Sequence, residues 1–323
     1  MRSVVGTLVW LCALWAHAGP ASTHKALSRR AQAQELLESL SQGADARSVA
    51  NRLQFLGEQA YAAAELGALL HHSVDTRQRQ TFVWVLAALA HPSAEPVLLG
   101  LLSDDDGAIR MAAVQGLGRL GSRQVVRIRP LLFDKTLGVR KEAARALGAS
   151  GEKRMGRPLV DAARAEGEPE VRSAMLLAVG QLKDKSQATA LVGFLTHSSE
   201  STRFAAAHGL CLLGAAQGFA FARRLLASED RFARRQALAL FDGVGGPRAR
   251  RILVGLLDDD DRALAAQAAR RLHQAGEPKM LEWLVLKSHH AEGEEKLLYE
   301  TELETLRLAD DQRRAILAQA GIE

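Results

Sequence analysis

Arginine recurs at positions 79, 110, 140, 172, 203 and 234, at intervals of 31, 30, 32, 31 and 31 residues. A period of this size marks one supersecondary unit copied along the chain, and it constrains the fold more tightly than any local propensity. Three residues after each arginine stand Phe82, Ala113, Ala143, Met175, Ala206 and Ala237, and seven after stand Leu86, Leu117, Leu147, Val179, Leu210 and Phe241. Eleven after, glycine stands at 121, 151, 214 and 245, while Lys183 departs from the pattern. The frame continues at Ala265 with Ala268, Leu272 and Gly276, and a degenerate unit opens upstream at Ala46 with Val49, Leu53 and Gly57.

Four residues before each anchor the column reads Asp75, Asp106, Thr136, Glu168, Ser199, Asp230 and Asp261. All but Glu168 carry side chains that accept hydrogen bonds from the free amides opening a helix. Pro169 suits a first helical position, and the +11 glycines suit the left-handed residue that closes a helix. Each unit therefore holds a second helix of about fourteen residues from cap to glycine. Leucine-rich segments around 98–102, 191–195 and 253–257 predict a first helix ahead of it. Such a hairpin cannot bury its apolar stripe alone, so the units must stack.

The line LLFDKTLGVRKEAARALGASG at 131–151 resembles the HEAT repeats of the bilin-lyase-like (PBS lyase) class. The resemblance spans about residues 36–276. It implies an all-α fold, a right-handed α-solenoid (HEAT/armadillo-like superhelix) of about eight helical-hairpin repeats, with the second helices lining a concave surface. The shared positions are packing and capping positions, so they speak for fold and not for activity. The expected organisation is 1–18 a signal peptide, 19–62 capping helices and the degenerate repeat, 63–276 the repeats, and 277–323 acidic closing helices, since an open stack needs covered ends.

Composition agrees with stacked helices: 47% of residues are apolar, only 5% are aromatic and eight are proline. The first eighteen residues stand apart. Arg2 is followed by an apolar run from Val4 to Trp15 and by the small-x-small site Ala16-His17-Ala18, which predicts cleavage after Ala18 and a secreted or periplasmic chain. The run is shorter than the ~20 residues a spanning helix needs, so no membrane span is expected after its removal. Cys12 lacks the small residue that precedes a lipidated cysteine, and Cys211 remains as the one cysteine of the mature chain, so no internal disulfide can form. The mature balance of 41 basic to 37 acidic residues is far from that of a nucleic-acid-binding tail.

Several clusters could carry chemistry. Asp104 to Asp106 and Asp258 to Asp261 lack the alternating oxygen spacing and distant glutamate of a calcium loop, and they fit caps and solvated turns. The six arginines form either an anion-binding ladder or a set of pairs with acidic caps of the same or the neighbouring hairpin that fixes stacking register. The pairs His71-His72 and His289-His290 project about 100° apart on a helix and chelate a metal poorly. Deoxyhypusine hydroxylase resembles this repeat class and uses His-Glu dipeptides for its diiron centre, yet no histidine here precedes a glutamate. Cys211 has no period-matched base and reads as a buried, inert thiol. No catalytic residue, metal ligand or cofactor is expected.

Helical arithmetic places positions −1, +3, +7 and +10 of each anchor on the apolar stripe and +1, +5 and +9 opposite it. That opposite stripe holds Gln115, Arg119, Lys141, Arg145, Gln181, His208, Arg235 and Arg270 with Gln274, and is polar and basic. The expectation is a non-catalytic scaffold that docks a protein or an anionic envelope polymer there. The alternatives are plain solvated surface, a bilin-lyase-like or other modifying enzyme, and a DNA-binding HEAT-like protein; the signal peptide and only two mature tryptophans, Trp84 and Trp283, speak against DNA.

Overall fold

A computed structural model describes residues 20–322, in which every regular element is a helix. The proposed signal peptide and its cleavage site lie outside the described residues. The chain divides into two compact units between Ser150 and Gly151.

The first unit contains α1 (Pro20–Ser41), α2 (Ala46–Leu56), α3 (Gln59–His72), α4 (Thr76–Leu89), α5 (Glu95–Gly100), α6 (Gly107–Arg119), α7 (Val125–Ile128) and α8 (Leu137–Ala149). Helices α2, α4, α6 and α8 are the second helices of successive hairpins, and each packs on the next. The first helices α3, α5 and α7 each lie against the second helix that follows. Helices α5 and α7 are short because they tighten into 3-10 turns, at Leu101–Ser103 and at Arg129–Phe133, where Pro130 removes an amide donor.

The second unit contains α9 (Gly156–Ala165), α10 (Pro169–Gln181), α11 (Ala188–Val192), α12 (Glu200–Leu212), α13 (Ala216–Leu226), α14 (Arg231–Ala237), α15 (Pro247–Val254), α16 (Arg262–Gln274), α17 (Lys279–His290), α18 (Gly293–Thr305) and α19 (Asp310–Gln319). Here α10 packs on α12, and α16 packs on α17 and α18. Ala266 and Ala269 of α16 form a terminal core with Leu284, Val285, Tyr299 and Leu303, and Trp283 meets Tyr299 edge-on.

The predicted columns are the core. Leu86, Leu117, Leu147, Val179, Leu210, Phe241 and Leu272 at +7, and Phe82, Ala113, Ala143, Met175, Ala206 and Ala237 at +3, are all buried. The +4 residues Val83, Val114, Ala144, Leu176, Ala207 and Leu238, which the sequence reading did not single out, are buried with them. Caps form as expected at Asp75, Asp106, Ser199, Asp230 and Asp261, whose side chains accept from amides two or three residues on. Thr136 is a correction: its side chain makes no capping bond, and its hydroxyl lies 3.4 Å from Arg110 Nη2 instead. A threonine hydroxyl has one rotor, and here it faces the neighbouring guanidinium.

Positive φ recurs at the +11 column in Ala90, Gly121, Gly151, Lys183, Gly214 and Gly276. Gly245 is the exception, because the left-handed residues of its repeat are Gly243 and Gly246. The cause is upstream: α14 stops at Ala237 and continues as a 3-10 turn over Leu238–Phe241, so this second helix is shorter than the expected fourteen residues.

Neighbouring second helices approach closely. Position +8 of one second helix meets +6 of the next, and a Cβ on Gly116 would lie 2.9 Å from Ala87 Cβ, one on Gly118 3.2 Å from Ala146 Cβ, and one on Gly180 2.5 Å from Gly209 Cα. At the same positions the last repeats carry Leu240 after Cys211 and Arg271 after Asp242, residues too large for that approach.

Candidate partner-binding face

The six anchor arginines are structural. Arg110 is 6% exposed, and its Nε and Nη2 reach Asp134 Oδ2 and Oδ1 at 2.7 and 2.8 Å while Nη1 holds the carbonyls of Asp104 and Asp105 at 2.6 and 3.0 Å. Arg79 pairs with Asp104 and Arg234 with Asp259 across the next hairpin. Arg140 and Arg203 grip the carbonyls of their own turns, at Asp134 and Lys135 and at His197 and Ser198, and Arg172 binds the carbonyls of Ala163, Glu166 and Gly167.

The acceptor column thus lies six residues before the anchor, two before the expected cap. One oxygen of Asp104, Asp134 and Asp259 accepts the amide of the cap residue at 2.8 to 2.9 Å; at Asp104 and Asp259 the other oxygen takes the arginine of the preceding repeat, while at Asp134 Arg110 binds both. Burial alone would raise the Asp134 pKa, but the Arg110 and Thr136 hydrogen bonds outweigh it and hold that carboxyl below its ordinary value. The acidic runs therefore have assigned work: Asp106 and Asp261 cap helices, and Asp104 and Asp259 tie hairpins together.

The opposite stripe divides between the units. In the first unit, Arg119 and Arg145 are exposed and Gln115 and Lys141 half-buried, with Arg145 leaning on Glu142 at 2.7 Å. In the second unit, Gln181 is exposed, but three predicted partner residues are engaged internally. Arg235 makes two bonds of 2.7 and 2.8 Å to Asp261, and Arg270 pairs with Glu302 and touches Gln274. His208 Nε2 meets the Asp242 carbonyl at 2.8 Å, and burial keeps its pKa below the ordinary value although that bond pulls the other way. Arg270 and His208 are half-buried and tie repeats together, whereas Arg235, though paired, keeps an exposed side chain. Arg271 stands 3.0 Å from Asp242 in the space that glycine and alanine occupy in other repeats.

Three apolar side chains missed by the sequence reading share the first unit's stripe. Phe55 at +9 of α2 is 92% exposed, Met111 at +1 of α6 is 37% exposed, and Trp84 at +5 of α4 is half-buried. Gln54 donates to the Ala88 carbonyl at 2.9 Å, fixing the Phe55 end of α2 beside the end of α4. Exposed Arg47 and Asn51 complete the α2 row. Applying the same +1, +5, +9 count to the degenerate unit at Ala46 would have found them.

Cys211 is buried, and burial pushes its thiol up to about 12. The histidine pairs sit at helix ends, with His290 Nδ1 against the Leu286 carbonyl at 2.7 Å. Among the described residues no helix is long and apolar enough to cross a membrane.

The HEAT-repeat family pattern matches residues 63–128 and 156–240. Those two stretches carry HEAT repeats. The array is similar in fold to the complex of CpcE and CpcF of phycocyanin lyase from Nostoc sp. PCC7120, with 20% identity, a TM-score of 0.51, and 76% of this chain and 93% of that one covered. YibA of E. coli is similar at 16% identity and a TM-score of 0.45, covering 90% of this chain and 98% of that one. A designed armadillo repeat protein is similar at 17% identity and a TM-score of 0.38, covering 57% and 99%. At these identities the likeness is one of fold. No curated protein matches the sequence.

Proposed function

We propose that this HEAT-repeat chain is a non-catalytic scaffold that docks a protein partner on the second-helix stripe of its first unit, in the periplasm or another secretory space. Phe55 carries the reading. A phenyl ring 92% exposed, on one stripe with Trp84, Met111 and the exposed cations Arg47, Arg119 and Arg145, has the aromatic and arginine make-up of protein-binding hot spots. An anionic polymer would use the cations and leave the rings unused, so a protein fits better. The secretory location rests on the Arg2-to-Ala18 leader pattern.

Stacked repeats suit this work, because each adds surface without needing a new core. The phycocyanin lyase structure is itself a complex of two chains, which supports docking as a use of the fold.

A photo-crosslinking residue at Phe55 or Gln115 in intact cells tests this, with Val126 on α7, 60% exposed, as reference. Adducts should form from positions 55 and 115, fail at 126, and vanish when Arg119 and Arg145 are both replaced by glutamate. Equal adducts from position 126, or adducts that survive the charge reversal, would refute the docking face.

A further inference from the structure

The basic, aromatic stripe of the first unit has a counterpart on the same chain. Residues 292–311 contain eight acidic and two basic side chains. Helix α18 buries Tyr299, Glu302 and Leu303 against α16 and α17 and leaves the opposite face uncovered. That face runs Glu294, Leu297, Leu298, Thr301 and Glu304, spaced three or four residues apart, with Leu297 65% and Leu298 36% exposed. A terminal helix that only closed the stack would be polar on this side. Phe55 and Leu297 are each largely exposed.

We propose that the α18 face of one copy docks on the Phe55–Trp84–Met111 stripe of a second copy, so that the chain self-associates through unlike surfaces. The leucines cover the rings, and Glu294 and Glu304 meet Arg119, Arg145 and Arg47. An amphipathic helix laid in an apolar groove is a recurring recognition mode, and here the charges around both apolar patches are opposite. Because the two faces differ, the contact is heterologous and each copy keeps one free face of each kind. This rests on the reading of the stripe as a docking face, and it names the partner as another copy.

Sedimentation equilibrium of the full chain over a concentration series tests it. Mass should rise with concentration beyond dimer, and should fall back as salt is raised and the screening length shrinks from about 30 Å at 0.01 M to about 3 Å at 1 M. Phe55→Asp should leave monomer, and so should the double variant Leu297→Ser, Leu298→Ser. Mixing the two should restore association but stop it at the 1:1 dimer, because each variant retains the face the other lacks; that restoration also proves both folded. A wild-type chain that stays monomeric, association untouched by either variant, or a mixture that stays monomeric would each overturn the proposal. If the wild-type chain is monomeric while Phe55 still crosslinks to another protein in cells, self-association fails and the docking stripe stands.

Discussion

Replacing Gly180 by alanine should destabilise the protein, although alanine is the better helix former. A Cβ there would lie 2.5 Å from Gly209 Cα, 2.9 Å from its carbonyl oxygen and 3.1 Å from its carbonyl carbon. Ordinary carbon contacts lie at about 3.5–4.0 Å, so α10 and α12 must part by roughly 1 Å, and a gap of that size forfeits about a quarter to a half of each dispersion contact along the seam. Every clashing atom is backbone, and no rotamer relieves it, which puts the loss near the upper end of the ~1–3 kcal/mol typical of overpacking. Alanine returns about 1 kcal/mol of helix propensity, leaving a net loss of about 2 kcal/mol, or roughly 4–8 °C in a unit this size. Gly193→Ala is the control, since nothing lies within 4 Å of its Cβ position and its φ is −58°. Urea unfolding followed by circular dichroism should show Gly180→Ala less stable and Gly193→Ala at least as stable as the parent. If Gly180→Ala were neutral or stabilising, the close +8 to +6 approach would be wrong.

Arg110→Met should lose about 3–5 kcal/mol, because it strands the buried Asp134 carboxylate, whereas adding Asp134→Leu should recover most of that loss; chemical denaturation of the four-member cycle reads both. Asp134 and Asp261 have folded pKa values below 3.8, so the stability they provide is present above that pH and is lost as pH falls through the folded values; the gap between parent and Arg110→Met should therefore narrow in melts taken from pH 5 to pH 3. Lys183 holds a φ of 54°, and Lys183→Gly should raise the unfolding midpoint by an amount equivalent to about 0.5–1 kcal/mol. Cys211, with its thiol near 12, should resist maleimide at pH 8 in the folded chain and react within minutes once denatured.

The repeat columns made the fold legible. Position +7 is buried wherever the period placed it, because one module solves the same packing problem each time. Position +11 turned left-handed even at Ala90 and Lys183, where no glycine marks it. Two things were hidden. The arginine acceptors at −6 look like spare acids in a polar turn, and only their spacing of about 25 residues from the preceding arginine reveals the cross-hairpin pair. The site was harder to read, because a surface stripe is defined by what does not happen to it. Arg119 and Arg270 occupy polar stripe positions, and only the folded chain reveals that Glu302 has claimed Arg270 while Arg119 remains exposed.

Unfolding midpoints of two charge-removal variants separate the ladder from the displayed stripe most directly. Gln at Arg79 and Arg110 together should lower the midpoint by several degrees, while Gln at Arg119 and Arg145 together should leave it within about a degree, as expected of exposed charges. Equal losses in the two variants would contradict the division of this chain into an internal arginine ladder and an outward docking face.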